Sequence, residues 1–467
     1  MKRILVSFFM ALAGFAGIEA QAQTAAAPVQ TIKAPDERLK VDILVVVAHP
    51  DDEGGVTPYL ARAIYDEHKR VAVVYGTRGG SGGNDYSREH GPALADIREQ
   101  EARAACAKLG ITNVWFLGGK DTASQNVLNS LANWGHGASL EELVRIVRLT
   151  RPEVIISWLP GIFIGENHGD HQAAGVLATE AFDLANDPTE FPAQVTGATK
   201  RLELYLENLT PWQPKKLYFF SDADNQTQFE GSGPTYSIKE ISYSKKKPYW
   251  RLALDAAATH LTQFPEAFPL PKMSDAELEK MMNDPKSAWW PEPMTLIFGK
   301  ATDGSGSTAA VFPGSESQPT KGGMRIKGRQ SPVLDNGKLK LAGPWGYYVD
   351  FQRAHHLAHL PTSAEPEIAV KSGSLLQIPL MLAHDASGSQ EFSISASMPE
   401  GWKASSGTGK FLLPSEESTA LRVEIQTPEA LSANSLGKNI EITVEHDGSL
   451  VGSVRLIVLL KKSGLPE

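Results

Sequence analysis

The chain has 467 residues, about three ordinary domain lengths, and its 42% hydrophobic and 21% charged residues exclude a disordered or fibrous protein. Its 45 Lys+Arg against 54 Asp+Glu give a net charge of −9, which argues against a protein built to grip nucleic acid. The single cysteine, Cys106, excludes an intrachain disulfide and a cysteine-based zinc site, so a metal would have to be held by Asp, Glu or the 12 His.

Lys2 and Arg3 precede an apolar run from Ile4 to Ile18, and Ala20-Gln21-Ala22 follows with small residues at the cleavage positions. That order predicts a signal peptide over residues 1–22 and a periplasmic or secreted bacterial protein. No later run is long enough to span a membrane, and nothing in the sequence sets an oligomeric state. Residues 23–40 read as a linker. Over residues 41–270 apolar strands alternate with helices. Val41–Val47, Val71–Tyr75, Val114–Leu117, Val154–Trp158 and Lys216–Phe220 read as strands, mostly the continuous apolar runs of a buried parallel sheet. Val56–His68, Ala93–Leu109, Leu140–Leu149 and His171–Leu184 read as the intervening helices, with Ser139 and Glu142 forming a capping box for the third. The pattern predicts a doubly wound, mainly parallel, Rossmann-like α/β sheet whose cleft lies outside the carboxyl ends of its strands. Residues 271–364, with a short charged helix at Asp275–Met282, form a mixed extension without an assigned fold.

From 365 to 467 the alternation is that of strands: Leu421, Val423 and Ile425, then Ile440, Ile442 and Val444, with a hairpin turn at Asp447-Gly448. This predicts an Ig-like β-sandwich. Together with Pro399-Glu400-Gly401-Trp402, it looks like the domains appended to secreted glycosidases, either as a glycan-presenting module or as a brace.

The chemistry concentrates at two strand ends. Ala48-His49-Pro50-Asp51-Asp52-Glu53 closes the first strand, where His49 and Asp52 can converge on a metal while Asp51 faces the water it carries. Alone, the same residues read equally well as a strand end capping the next helix. The second cluster, His168-Gly169-Asp170-His171, follows the Val154–Trp158 strand. Together the two offer a His/Asp/His set of three ligands, the number that leaves zinc open to water.

These paired motifs resemble those of the LmbE-like/PIG-L family of zinc-dependent N-deacetylases, over roughly residues 41–265. The resemblance implies a Zn2+ held by His49, Asp52 and His171, with Asp51 as general base, His168 stabilising the transition state and Asp170 orienting a neighbouring histidine. It also implies substrate contacts from Arg78 in the glycine-rich stretch Thr77–Gly83, from Arg98 with Glu101, and from His260 with Gln263. On residue type alone these would be a flexible turn, a solvated helix pair and a helix-surface histidine. The glycine-rich stretch lacks the Gly-Lys-Ser/Thr ending of a P-loop. Gly169 stands where Pro is common in the family and Glu166 where some members carry Tyr, which individualises the loop 160–167. His355, His356 and His359 have no evident carboxylate partner and read as surface. The expected activity is removal of N-acetyl groups from N-acetylglucosamine-type amino sugars in a glycan or glycoconjugate. The alternatives are an amidase on another amide and a non-catalytic glycan-binding protein.

Overall fold

The computed structural model describes residues 36–460 except 123–125, 162–167, 198–204, 222–231, 265–272, 285–287, 308, 316–317, 320–337, 361–365, 384–387, 415–417 and 431–438. The expected signal peptide, nearly all of the linker and Glu166 lie outside the described residues.

The first half runs β1 (Ile43–Val47), α1 (Thr57–Tyr65), β2 (Val71–Thr77), α2 (Pro92–Lys108), β3 (Asn113–Gly119), α3 (Val127–Trp134), α4 (His136–Thr150), β4 (Val154–Trp158), α5 (Gly169–Leu184), the single turn α6 (Pro192–Val195) and β5 (Lys216–Phe220). All residues of β1, β2, β4 and β5 are buried, as expected of strands covered by helices on both faces. The strand order is β3-β2-β1-β4-β5, all parallel. From β1 the chain winds one way to β2 and β3 and then returns to the other side for β4 and β5. A crevice therefore opens between the carboxyl ends of β1 and β4.

The expected capping box does not form. Helix α4 begins at His136, immediately after Gly135 closes α3, so Ser139 falls inside its first turn. There its hydroxyl donates to Trp134 O at 2.7 Å instead of capping.

After β5 come β6 (Pro234–Tyr236), α7 (Tyr249–Ala257), α8 (Asp275–Asn283), β7 (Met294–Thr295), β8 (Ile297–Ala301), β9 (Gln318–Pro319), β10 (Leu339–Leu341) and α9 (Pro344–Ala354). Much of the stretch 271–364, unassigned from sequence, belongs with the α/β half. Strand β8 pairs antiparallel with β5 and becomes the sixth strand of the main sheet. Leu278, Trp290, Leu296, Phe312, Phe351 and Leu360 join the same apolar core. The histidine group at 355–359 does have a carboxylate partner, because α9 brings it against α5. His355 Nδ1 lies 2.7 Å from Asp183 Oδ2, and Lys300 of β8 donates to Asp183 Oδ1 at 2.6 Å.

The C-terminal region comprises β11 (Glu367–Val370), β12 (Leu375–Ala383), β13 (Gln390–Ser397), β14 (Lys403–Ser406), β15 (Gly409–Leu413), β16 (Ser418–Gln426), β17 (Asn439–His446) and β18 (Ser449–Leu460). They form two sheets, β10-β12-β16-β14 and β11-β18-β17-β13-β15. Alternate residues such as Ile378 and Leu380, Val423 and Ile425, and Ile440, Ile442 and Val444 meet in one apolar cluster that includes Trp402. Asp447 and Gly448, both at positive φ (49° and 74°), make the tight β17–β18 hairpin.

Candidate metal centre

Strand β1 stops at Val47 and the chain turns through Pro50 into a 3-10 turn, Asp52–Gly55. Asp52 folds back on this turn. Its Oδ2 accepts the backbone N–H groups of Ala48 at 2.8 Å and His49 at 2.9 Å, and the indole N–H of Trp158 at 2.8 Å. Trp158 ends β4, so one carboxylate oxygen ties the two central strands together. The other oxygen, Oδ1, lies 3.2 Å from His171 Nε2 and 3.6 Å from His49 Nδ1.

The second cluster starts α5. His168 caps the helix, its Nδ1 accepting the Asp170 N–H at 3.3 Å. Asp170, fully buried, does not serve the histidines beside it in sequence: its Oδ2 lies 3.2 Å from His49 Nε2 and accepts the Thr122 N–H at 2.7 Å. His171 lies flat on Trp158, with ring centroids 4.1 Å apart and planes within 7°.

The two Asp52–imidazole distances match the spacing of ligands around a small divalent cation. A tetrahedral zinc with bonds of about 2.0–2.1 Å keeps its donor atoms roughly 3.3 Å apart, and Asp52 Oδ1 already stands at 3.2 and 3.6 Å from its two imidazole neighbours. Asp170 accepting from His49 Nε2–H would leave the Nδ1 lone pair turned towards Asp52, the usual second-layer support of a metal-bound histidine. Among the described residues, ring nitrogens of His49, His168 and His171 lie within 4.8 Å of one another, and so do donor atoms of His49, Asp121 and Asp170; His168 thus belongs to one such cluster, and Asp52 to neither.

Electrostatics separates these side chains. Burial alone would discharge His49, but Asp52 and Asp170 outweigh it and hold its pKa well above the ordinary value. Burial likewise opposes ionisation of Asp52, yet His171 and His49 hold its carboxyl well below the carboxylate range. His168 goes the other way: burial and the adjacent His171 and His49 push it far down, so its ring is neutral.

Asp51 stands apart from the donor set. Its backbone, at φ 114°, occupies a region that costs a non-glycine residue about 1–3 kcal/mol. It is held there by Glu53 Oε2, which accepts its N–H at 3.1 Å, and by Arg98. Arg98 Nη2 donates to Pro50 O at 2.6 Å and to Asp51 Oδ1 at 3.2 Å, while Nη1 donates to Gly79 O at 3.0 Å. Burial raises the Asp51 carboxyl, Arg98 partly offsets this, and the net result is about 6.

The glycine-rich stretch explains itself against Arg98. A Cβ on Gly79, whose φ is +71°, would lie 2.6 Å from Arg98 Cζ, and one on Gly82 would lie 2.5 Å from Nη1. The loop wraps a buried guanidinium. Arg98 and Glu101, read from sequence as a substrate contact or a solvated pair, are both buried and serve different partners, with Glu101 accepting Thr262 N–H at 2.9 Å and Thr262 Oγ1–H at 2.6 Å. Arg78 turns to Asp96 and Glu99 on α2 and not to the cluster. His260 is buried, its Nε2 2.7 Å from Glu53 Oε1, so it touches the site through the residue that holds Asp51. Sequence reasoning missed Trp158 and Asp121. Trp158 shows in sequence only as the last apolar residue of its strand. Asp121 accepts the Ser81 N–H at 2.6 Å, and its buried Oδ1 has no hydrogen-bond partner among the described residues. Asp121 comes from the loop after β3, where no motif marks it.

Residues 44–182 match the family model described as PIG-L: GlcNAc-PI de-N-acetylase. Over 188 residues the chain is 34% identical to a 1D-myo-inositol 2-acetamido-2-deoxy-α-D-glucopyranoside deacetylase of Frankia alni, covering 37% of this chain and 59% of that protein. It is 31% identical over 200 residues to a protein of the same description from Streptomyces avermitilis, covering 40% and 61%. The chain thus spans about three fifths of the length of these curated relatives. The N,N′-diacetylchitobiose deacetylase of Pyrococcus horikoshii aligns with a TM-score of 0.38 at 19% identity, over 55% of this chain and 83% of that one. The stretch that matches the PIG-L family model is thus the α/β region that carries both halves of the His/Asp cluster.

Proposed function

We propose that the protein is a zinc-dependent N-deacetylase that hydrolyses the acetamide of an N-acetylglucosamine-type amino sugar in a glycan or glycoconjugate, releasing acetate and a free amine. The observation that carries this reading is a division of labour between adjacent carboxylates: Asp52 Oδ1 faces His49 and His171, whereas Asp51 is kept off that group by Arg98. A binding module has no need for a second, separately held acid.

His49, Asp52 and His171 would hold the zinc, which when bound supplies a water of lowered pKa and a Lewis-acid contact for the amide carbonyl. Asp51 takes the proton of the attacking water; with a pKa pushed up to about 6 it is ionised at neutral pH and basic enough for the task. Arg98 fixes the direction of that carboxylate. His168 accepts the Asp170 N–H on Nδ1, so its neutral ring carries its hydrogen on Nε2. A nitrogen carrying a hydrogen cannot bind a cation, and this sets His168 aside as a donor to the developing oxyanion; losing such a donor costs about 2.7–4 kcal/mol of transition-state stabilisation. The proton collected by Asp51 is the one the leaving amine requires.

The N-terminal charge, apolar run and Ala-Gln-Ala sequence support export, and hence an envelope or environmental glycan as substrate. The two C-terminal sheets with a shared apolar cluster support an Ig-like sandwich. The test is to assay zinc content and acetate release from N-acetylglucosamine and its oligomers, with Asp51→Asn beside the wild type. Bound zinc together with acetate release that disappears in Asp51→Asn supports the reading. A protein that takes up no zinc, or an Asp51→Asn variant of undiminished activity, refutes it.

A further inference from the structure

The segment between β6 and α7 closes a tight loop at the amino edge of the main sheet. Helix α1 leaves the carboxyl end of β1 and delivers Tyr65 and Asp66 to the opposite edge, shortly before β2 begins at Val71. There Asp66 accepts the Tyr243 N–H at 2.9 Å and the Ser244 N–H at 3.0 Å, and Ser244 Oγ donates to Tyr65 O at 3.1 Å. Ser242 N donates to Lys247 O and Lys246 N to Ser242 O, both at 2.9 Å, while Ile241 bridges Pro248. Lys246 holds φ at 58°, in the left-handed region that favours glycine. The stretch Ile241–Lys247 is thereby fixed to the domain at several points, and little freedom is left for it to lose on binding.

Its exposure is the reverse of an ordinary turn. Ile241 is 58% exposed and Tyr243 83%, yet Ser242 between them is buried. Lone exposed apolar residues are common on protein surfaces, but these two are followed by the consecutive exposed lysines Lys245, Lys246 and Lys247, in a chain of net charge −9. Glu240, the acid next in sequence, is paired with Arg62, and Asp255 lies 3.5 Å from Lys247. Among the described residues Lys245 and Lys246 make no ion pair; their ammonium groups lie 4.3 Å from the ring centroids of Tyr65 and Tyr243.

Apolar side chains in front and ammonium groups behind them match the layers of a bilayer surface. The Ile241 side chain and the Tyr243 ring suit the boundary of the hydrocarbon, and the tyrosine hydroxyl and lysine heads suit the level of the phosphates. Stable peripheral binding takes two signals, and a polybasic patch beside an apolar insertion supplies both. A soluble acidic polymer would use the lysines and leave Ile241 and Tyr243 in water. We infer that Ile241–Lys247 is a docking tip for a membrane surface rich in anionic phospholipid. Docked through this edge, the protein turns the crevice at the carboxyl ends of its strands, with His49 and His171, away from the bilayer.

Vesicle binding is read without turnover, so the docking tip stands or falls apart from the deacetylase reading. Cys106 is buried, so in full-length Tyr243→Cys an environment-sensitive thiol-reactive fluorophore attaches at the tip alone. Ile241→Cys, labelled in the same way, is the second position should the first variant not fold. Because the label reports only its own surroundings, insertion by the N-terminal apolar run Ile4–Ile18 does not move it. Its emission should shift to the blue with vesicles of phosphatidylglycerol mixed into phosphatidylcholine, and stay unchanged with phosphatidylcholine alone. Each lysine near an anionic surface is worth about fivefold in affinity. Lys245→Gln combined with Lys246→Gln should therefore raise the lipid concentration at half-shift about 25-fold. A label that remains in water, that shifts equally on neutral lipid, or whose midpoint ignores the lysine substitutions overturns the docking tip. So does an equal shift with a soluble acidic polysaccharide, which would make the tip a polyanion site and not a lipid one.

Discussion

Gly82→Ala isolates what the glycine-rich loop is for. Its backbone is open to any residue, so the substitution carries no left-handed penalty, unlike a change at Gly79. The added Cβ would sit 2.5 Å from Arg98 Nη1, against a contact distance of about 3.5–4.0 Å. The guanidinium must retreat by about 1 Å. That stretches its 3.0 Å bond to Gly79 O beyond hydrogen-bond range and disturbs its bonds to Pro50 O and Asp51 Oδ1. Losing a hydrogen bond from a charged donor costs about 1.5–3 kcal/mol, and misplacing a reacting group by 1 Å costs up to about a hundredfold in rate. Gly83→Ala is the control, because a Cβ there meets nothing within 4 Å. Urea unfolding and acetate release, run in parallel, should show Gly82→Ala destabilised by about 1.5–3 kcal/mol and slowed at least tenfold, with Gly83→Ala close to wild type. If the two variants behave alike, the claim that the loop is shaped around Arg98 is wrong.

Asp51→Asn should bind zinc stoichiometrically by elemental analysis while acetate release falls by about 10²–10⁴. His171→Ala should lose zinc, whereas His168→Ala should retain it and lose turnover; equal loss of metal from both would place His168 among the ligands. Chelation should lower the melting temperature of the wild type, with zinc restoring it, but should leave His171→Ala unmoved. On the far side of the domain, Asp66 accepts from Tyr243 N, Ser244 N and Tyr249 OH, and despite partial burial these bonds hold its carboxyl below the usual carboxylate range. A depressed carboxylate stabilises above its unfolded pKa of about 3.9 and ceases to as pH falls through its folded value. The stability deficit of Asp66→Asn in urea titrations should therefore be full at pH 7 and shrink below about pH 4.

The parallel strands β1, β2, β4 and β5 were legible because each is buried on both faces and so appears as a mainly apolar run, as in Ile43–Val47 and Val154–Trp158. The two histidine motifs were legible because the first closes such a run and the second follows one and opens the next helix. What the sequence hid was long-range. Strand β8 carries no period that marks it as the partner of β5, and Lys300 within it is positioned by Asp183 over a hundred residues away. The capping box at Ser139 misled because a local motif says nothing of the helix that ends at Trp134, whose terminal carbonyl claims the same hydroxyl. Asp170 pointed to its sequence neighbours yet reaches His49, and Glu101 pointed to Arg98 yet holds Thr262. In each case the residue type was informative and the partner was decided by the sheet.

The antiparallel seam between β5 and β8 bears on how the protein can be dissected. A fragment ending near residue 270, where the motifs stop, would leave β5 with an unpaired row of amide and carbonyl groups flanked by Tyr218, Phe219 and Phe220. Such an edge templates pairing with other chains. A recombinant fragment of the α/β half should therefore run past Leu360, the last described residue of its core, and shorter versions should collect in inclusion bodies although they contain every residue of the His/Asp cluster.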